Sequence, residues 1–235
     1  MNRAGVLPGL EALPDRARLA EAAAAILAAE IAAALRGPGR ASFAATGGST
    51  PAPAYRELAN APLDWSRVDV TLTDERWVDP DSDESNARMV RESLLAGRAA
   101  AARLTPLWSA APSPKKAAEA AEAAVSVLLP FSAVLLGMGE DGHVASLFPG
   151  SPALAAGLDP SGARLCLGVP AARPAPVQPR ISLTLGALLQ TRLLLLLVAG
   201  PDKRRTLESA LAGADMPVRA VLQQDRAPVR ILWSP

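Results

Sequence analysis

Phe131-Ser132-Ala133-Val134-Leu135-Leu136 runs directly into Gly137-Met138-Gly139-Glu140-Asp141-Gly142-His143. The first six residues form a short apolar run closed by a glycine turn, the pattern of a strand buried on both faces. The next seven hold three glycines and a histidine, so the strand opens into a loop rich in positions that tolerate left-handed backbone.

The same strand-to-loop pattern recurs in both directions from this point. Arg40 to Thr46 leads into Gly47-Gly48-Ser49-Thr50-Pro51. The β-branched stretch Val68 to Thr73 leads into Asp74-Glu75-Arg76, which reads as a polar loop, and Leu193 to Ala199 leads into Gly200-Pro201-Asp202-Lys203. Helical segments separate these units. Asp15 to Leu35 is stopped by Gly37-Pro38-Gly39, and others run from after Pro51 to about Ala59, from about Ser85 to Gly97, Pro114 to Leu129 and about Asp202 to Leu211. Arg164 to Val169 and Val229 to Trp233 read as further strands, and Ile181 to Gln190 fits strand or helix. Pro170 to Pro179 holds four prolines and reads as an exposed loop. Apolar strands without alternation, separated by helices, predict an α/β fold of the doubly wound kind: one domain over residues 1–235, with a mostly parallel sheet covered by helices on both faces. Strand order is not readable from such a pattern.

Composition narrows the function. The chain has 235 residues, 24 basic and 23 acidic, with a formal net charge of +1 and 3% aromatics. Neither a basic footprint nor a stacking surface for nucleic acid is present. With one cysteine, Cys166, and one histidine, His143, thiolate and imidazole zinc sites are excluded, although an all-carboxylate magnesium site is not. Met1 to Pro8 lacks a signal-peptide core, and the most apolar run, Leu193 to Ala199, is far below the roughly 18 residues of a membrane span. The expectation is a cytoplasmic protein with no membrane or nucleic-acid partner.

In an open parallel sheet the carboxyl ends of all strands share one edge, where ligands bind, so four loops distant in sequence can converge there. Gly47 and Gly48 allow close backbone approach, and Ser49 or Thr50 can cap the following helix, a combination suited to a phosphate but lacking nucleotide-motif spacing. Arg76 follows two acids, which either pair with it at the surface or orient it toward an anion. Lys203, with Arg204 and Arg205, sits in a helix's first turn, against the macrodipole unless an anion binds there. Only three of the 24 basic residues are lysine. His143 ends a glycine cup of N–H donors instead of lying on an apolar face, and a free imidazole titrates at about 6.5, so it can serve as a base near neutrality. Ser146 is close by but lacks a nucleophile-elbow motif, and Cys166 reads as a core residue.

At these residues the sequence resembles the 6-phosphogluconolactonase family. The matching stretches are Thr46 to Pro51, Asp74-Glu75-Arg76 with Ser85-Asn86, Gly137 through Gly150, Pro179 to Thr184, and Gly200 with Lys203. Val144 departs from the family's usual threonine. The resemblance implies a modified Rossmann-like domain, no cofactor, and hydrolysis of 6-phospho-D-glucono-1,5-lactone to 6-phosphogluconate in the pentose phosphate pathway. It assigns catalysis to His143 and Asp141, and substrate or phosphate binding to Gly47, Gly48, Ser49, Thr50, Asp74, Arg76, Gly139, Gly142 and Lys203. Amides of the Gly137–Gly142 loop become candidates for the oxyanion. A small phosphosugar lactone is the expected partner, and a monomer is favoured.

Two other readings compete. The related amino-sugar phosphate isomerase/deaminase group shares the fold and the Asp-Gly-His loop, yet needs a further carboxylate base. Its third loop resembles Asp-Glu-Tyr and an Asn-Glu-Pro stretch follows its histidine, where this chain has Asp74-Glu75-Arg76 and Ser146-Leu147-Phe148-Pro149. A non-catalytic sugar-phosphate sensor would need a DNA-reading module, for which the single alanine-rich helix before Arg40 is too short.

Overall fold

The computed structural model describes residues 9–171 and 177–235; the first eight residues and residues 172–176 of the proline-rich loop lie outside it. In chain order the elements are β1 (Leu10–Ala12), α1 (Arg16–Leu35), β2 (Ala41–Ala45), α2 (Pro51–Leu58), β3 (Val68–Leu72), β4 (Asp74–Arg76), α3 (Asn86–Ser93), β5 (Arg103–Leu104), α4 (Pro114–Ser126), β6 (Ala133–Leu136), α5 (Leu154–Leu158), β7 (Cys166–Val169), β8 (Arg180–Leu183), α6 (Leu185–Leu188), β9 (Leu194–Ala199), α7 (Pro201–Leu211), α8 (Pro217–Gln223) and β10 (Val229–Ser234).

Seven strands form one sheet in the order β1-β10-β9-β6-β2-β3-β5, with every neighbouring pair parallel. Every residue of β2, β6 and β9 is buried. Because successive side chains point to opposite faces, both faces of these strands must be covered, as expected for a helix-flanked parallel sheet. Helix α1 starts where the Asp15 carboxylate accepts the Arg18 amide at 2.8 Å, and it stops before Gly37-Pro38-Gly39. Its buried face, built on Leu19, Ala23, Leu27 and Ile31, lies against β2, β6, β9 and β10. No helix among the described residues is long and apolar enough to cross a membrane.

From β2 the chain first builds outward through β3 to β5. It then returns to the other side of β2 with β6 and continues through β9 to β10. The strand order therefore reverses between β2 and β6, and a crevice opens at such a point beyond the carboxyl ends. The Gly47 loop and the Gly137–His143 loop leave those two strands.

A second sheet, β4-β8-β7, is antiparallel. It corrects the expectation of a polar loop at Asp74-Glu75-Arg76, which is strand β4, with Asp74 opposite Ser182 and Arg76 opposite Arg180. Three residues with two carboxylates carry no apolar alternation, so the strand depends on partners distant in sequence. The ambiguous Ile181–Gln190 stretch is both structures in turn: β8 ends at Leu183, and Thr184 caps the one-turn α6 by accepting the Ala187 amide at 3.1 Å. The expected strand at Arg164–Val169 is present as β7. It carries the buried Cys166, whose thiol burial pushes up to about 12, with Glu122 adding to the effect; this is an inert core residue.

Candidate active site

A cavity of about 260 Å³ opens at the switch point, and the loops after β2, β6 and β9 together with strand β4 contribute to it. Gly47, Gly48, Ser49, Thr50, Asp74, Arg76, Gly139, His143 and Lys203 line it, whereas Asp141 and Gly142 do not.

On one side lies the turn between β2 and α2. Gly48 has φ +105°, and a Cβ at Gly47 would stand 2.0 Å from Oδ1 of Asn86. Both glycines are thus required, one by backbone conformation and the other by a neighbour. The buried Asn86 donates from Nδ2 to the Asp74 carbonyl at 2.9 Å, wedging the turn against β4. Tyr55, fully buried on α2, donates its hydroxyl to the Thr46 carbonyl at 2.7 Å and fixes the entry to the turn. Thr50 occupies the N-cap position with helical dihedrals and makes no side-chain cap, contrary to the capping role expected of it or Ser49; Pro51 begins the helix instead. Thr50's hydroxyl is therefore not spent on the helix.

On the other side stands His143. Its Nδ1 lies 2.6 Å from Oδ1 of Asp141, which also accepts the His143 amide at 3.1 Å. Although burial pushes the Asp141 carboxyl up, its hydrogen bond and charge contact with His143 outweigh this and hold it below the usual carboxylate value. An ionised Asp141 makes Nδ1 the protonated nitrogen, which leaves the Nε2 lone pair as the basic position. A Cβ at Gly139 would meet Nδ1 at 2.1 Å, so the glycine vacates the space the ring fills. Gly142 serves the loop and not the cavity: its φ is +78°, and a Cβ there would lie 2.8 Å from Cβ of Met216. The Gly139 amide donates to the His143 carbonyl at 2.9 Å and the Gly142 amide to the Gly139 carbonyl at 3.1 Å. Those two amides are therefore withdrawn from the donor cup expected to face an oxyanion. Helices α7 and α8 brace the loop, through Thr206 Oγ1 to the Glu140 carbonyl (2.9 Å) and the Val218 amide to the Gly142 carbonyl (2.9 Å).

The cations separate by role. Arg204 pairs with Glu208 and lies over the Trp233 ring, and Arg205 pairs with Asp202, whereas half-buried Lys203 borders the cavity and forms no ion pair among the described residues. Arg76 is not steered by its acidic neighbours. Glu75 accepts the Arg76 backbone amide at 2.7 Å, together with the amides of Asn86 and Ala87, and so caps α3; the Arg76 guanidinium reaches the Glu84 carbonyl at 2.5 Å. Burial pushes the Glu75 carboxyl up, and these amides oppose the shift without cancelling it. Arg180, one of 21 arginines and singled out only within a family-matching stretch, also lines the cavity. Burial pulls its guanidinium down, against the charge of Asp74, but an arginine stays protonated. Its Cζ lies 5.7 Å from the Phe148 ring, which in turn stacks 4.2 Å from the His143 ring.

A glycine turn, three cations and an oriented imidazole thus share one cleft. The model of a family described as glucosamine-6-phosphate isomerases/6-phosphogluconolactonase matches residues 14–233. A protein of Caulobacter vibrioides named 6-phosphogluconolactonase is 49% identical over 225 residues, 96% of this chain and 97% of its own length. One of that name from Pseudomonas aeruginosa is 43% identical over 97% of this chain and 95% of its own. The crystal structure of a 6-phosphogluconolactonase from Shewanella baltica superposes with a TM-score of 0.91 at 36% identity, over 96% of this chain and 97% of that one.

Proposed function

The chain belongs to the glucosamine-6-phosphate isomerase/6-phosphogluconolactonase family, and we propose that it hydrolyses 6-phospho-D-glucono-1,5-lactone to 6-phosphogluconate, a step of the pentose phosphate pathway. The observation that carries this reading is the 2.6 Å contact between His143 Nδ1 and Asp141 at the mouth of a cation-lined cleft. Gly47, Gly48, Ser49 and Thr50, with Arg76 and Lys203, hold the phosphate. Nε2 of His143 takes a proton from water as the water oxygen attacks the lactone carbonyl carbon. As the tetrahedral intermediate collapses, the bond from that carbon to the ring oxygen breaks and the same proton passes to the ring oxygen. The products are a carboxylic acid, which then ionises, and a free hydroxyl. Asp141 keeps the imidazole oriented and stabilises its charged form between the two transfers. With the Gly139 and Gly142 amides engaged, the oxyanion falls to the remaining loop amides. Residues from Thr46 to Lys203 build the cleft, which supports one domain across the chain. A soluble phosphosugar substrate fits a monomer acting in the cytoplasm.

The isomerase/deaminase reading needs a free carboxylate to move a proton next to a carbonyl. Asp74 lines the cleft, but its Oδ2 accepts the Ser146 hydroxyl at 2.6 Å and lies 3.9 Å from Arg180, so it is not poised as a base. Lactonase and glucosamine-6-phosphate deaminase assays on one preparation separate the two. For the lactonase, His143→Ala should lower kcat by about 10²–10⁴-fold with little change in KM; near-full turnover by that variant would overturn the assignment.

A further inference from the structure

Ser146 is fully buried and held at two points. Its amide donates to Ser182 Oγ on β8 at 3.1 Å, and its hydroxyl donates to Asp74 Oδ2 on β4 at 2.6 Å. A hydroxyl has one proton to give, and this one goes to a carboxylate, so Ser146 is not placed as a nucleophile toward His143.

The same Asp74 oxygen lies 3.9 Å from Nη1 of Arg180, close enough for attraction and too far for a hydrogen bond. Arg180 Nε is buried with no partner among the described residues. A largely buried cation with a buried donor unmet is costly to maintain unless something completes it. Two groups can do so. One is Asp74, which needs an approach of only about 1 Å to reach ordinary charge-assisted contact. The other is an anionic or strongly polar ligand in the cleft that both residues line. We propose that Ser146 decides between them as a positioning residue: by anchoring Asp74 Oδ2 at 2.6 Å it holds that carboxylate 3.9 Å from Arg180 and leaves the guanidinium facing the bound phosphosugar.

Without the Ser146 hydroxyl, Asp74 Oδ2 loses its short donor in a buried setting. The nearest replacement is Arg180. Once paired with Asp74, Arg180 presents less charge to the cleft and substrate binding weakens, while His143 and Asp141 stay on their own loop. The effect belongs in KM and not in kcat.

The inference rests on the lactonase reading, and the test separates the two. If the wild-type enzyme neither turns over the lactone nor binds 6-phosphogluconate, that reading fails. If it does both, Ser146→Ala should raise KM by about tenfold, the scale of one charge-assisted hydrogen bond, with kcat within about twofold of wild type. The decisive measurement is the cycle with Arg180→Gln: once Arg180 is gone, Ser146→Ala should add no further rise in KM. An unchanged KM in Ser146→Ala, or a full rise persisting in the Arg180→Gln background, overturns the proposal. Should Ser146→Ala fail to fold, Ser146→Cys, a weak donor of similar size, carries the same cycle.

Discussion

A methyl group at position 139 would stand 2.1 Å from Nδ1 of His143 and 2.6 Å from Oδ1 of Asp141. Gly139 has no positive φ, so alanine is compatible with its backbone and the nearest conflict is with the proposed catalytic pair. Gly139→Ala should therefore lower kcat by about 10²-fold, the scale for a displacement near 1 Å, while the melting temperature moves little. Steady-state kinetics beside calorimetry check this, and a fall in stability without loss of kcat would contradict it. Part of this site was legible residue by residue. A lone histidine after Asp-Gly on a glycine loop is a local pattern, and so is Gly47-Gly48-Ser49-Thr50. Arg180 and Ser146 were not legible, because their significance lies in pairings with Asp74 across β4 and β8. The two glycine-loop amides were misjudged for a similar reason: a run of glycines predicts available N–H groups but not which carbonyls of the loop turn back to accept them.

At the scale of elements, the least expected structure is the one that shapes one wall of the cleft. β4 is three residues long with two acids, and its pairing with β8 leaves no trace in local propensity. What stabilises it is Glu75, 1% exposed, which gathers the amides of Arg76, Asn86 and Ala87 and so caps α3. Deleting that carboxylate leaves these three amides unmet, and with them the buried Ser85 hydroxyl that donates to it at 3.2 Å, at about 1–3 kcal/mol each. Glu75→Ala should cost roughly 3 kcal/mol or more of unfolding free energy, read by chemical denaturation. It should also raise KM, because α3 carries Asn86, the wedge behind the Gly47 turn. A destabilised variant with unchanged KM would separate the cap from the site. The long helix α1 and the apolar strands were readable because their periodicity is internal. The two-residue β5, the three-residue β1 at the sheet's edge and the seven-residue α8 are too short for any period to show.

For the whole molecule, the sequence indicates that strand ends share an edge but not which ends are neighbours. β2, β6 and β9 are all fully buried, so burial does not distinguish their partners, and the reversal between β2 and β6 emerges only from the assembled sheet. Net charge was legible, and its consequence can now be placed. The chain carries +1 overall, so charges of both signs nearly balance, and several outside the cleft pair directly, as in Arg18 with Glu21, Lys116 with Glu119 and Arg230 with Glu11. Such pairs present little far field, and at physiological salt what remains is screened beyond about 8 Å. A phosphosugar should consequently be captured by the few cations in the cleft and not steered from a distance. Reversing distant charges, Arg18→Glu with Lys116→Glu, should leave kcat/KM within about twofold of wild type even though it shifts the net charge to negative. Lys203→Gln removes a single charge, yet should raise KM by about tenfold and leave kcat nearly intact. The comparison, made at 0.15 M and again at low ionic strength, tests the point directly. Equal losses from both variants at physiological salt would mean that the whole surface, and not the cleft, draws the substrate in.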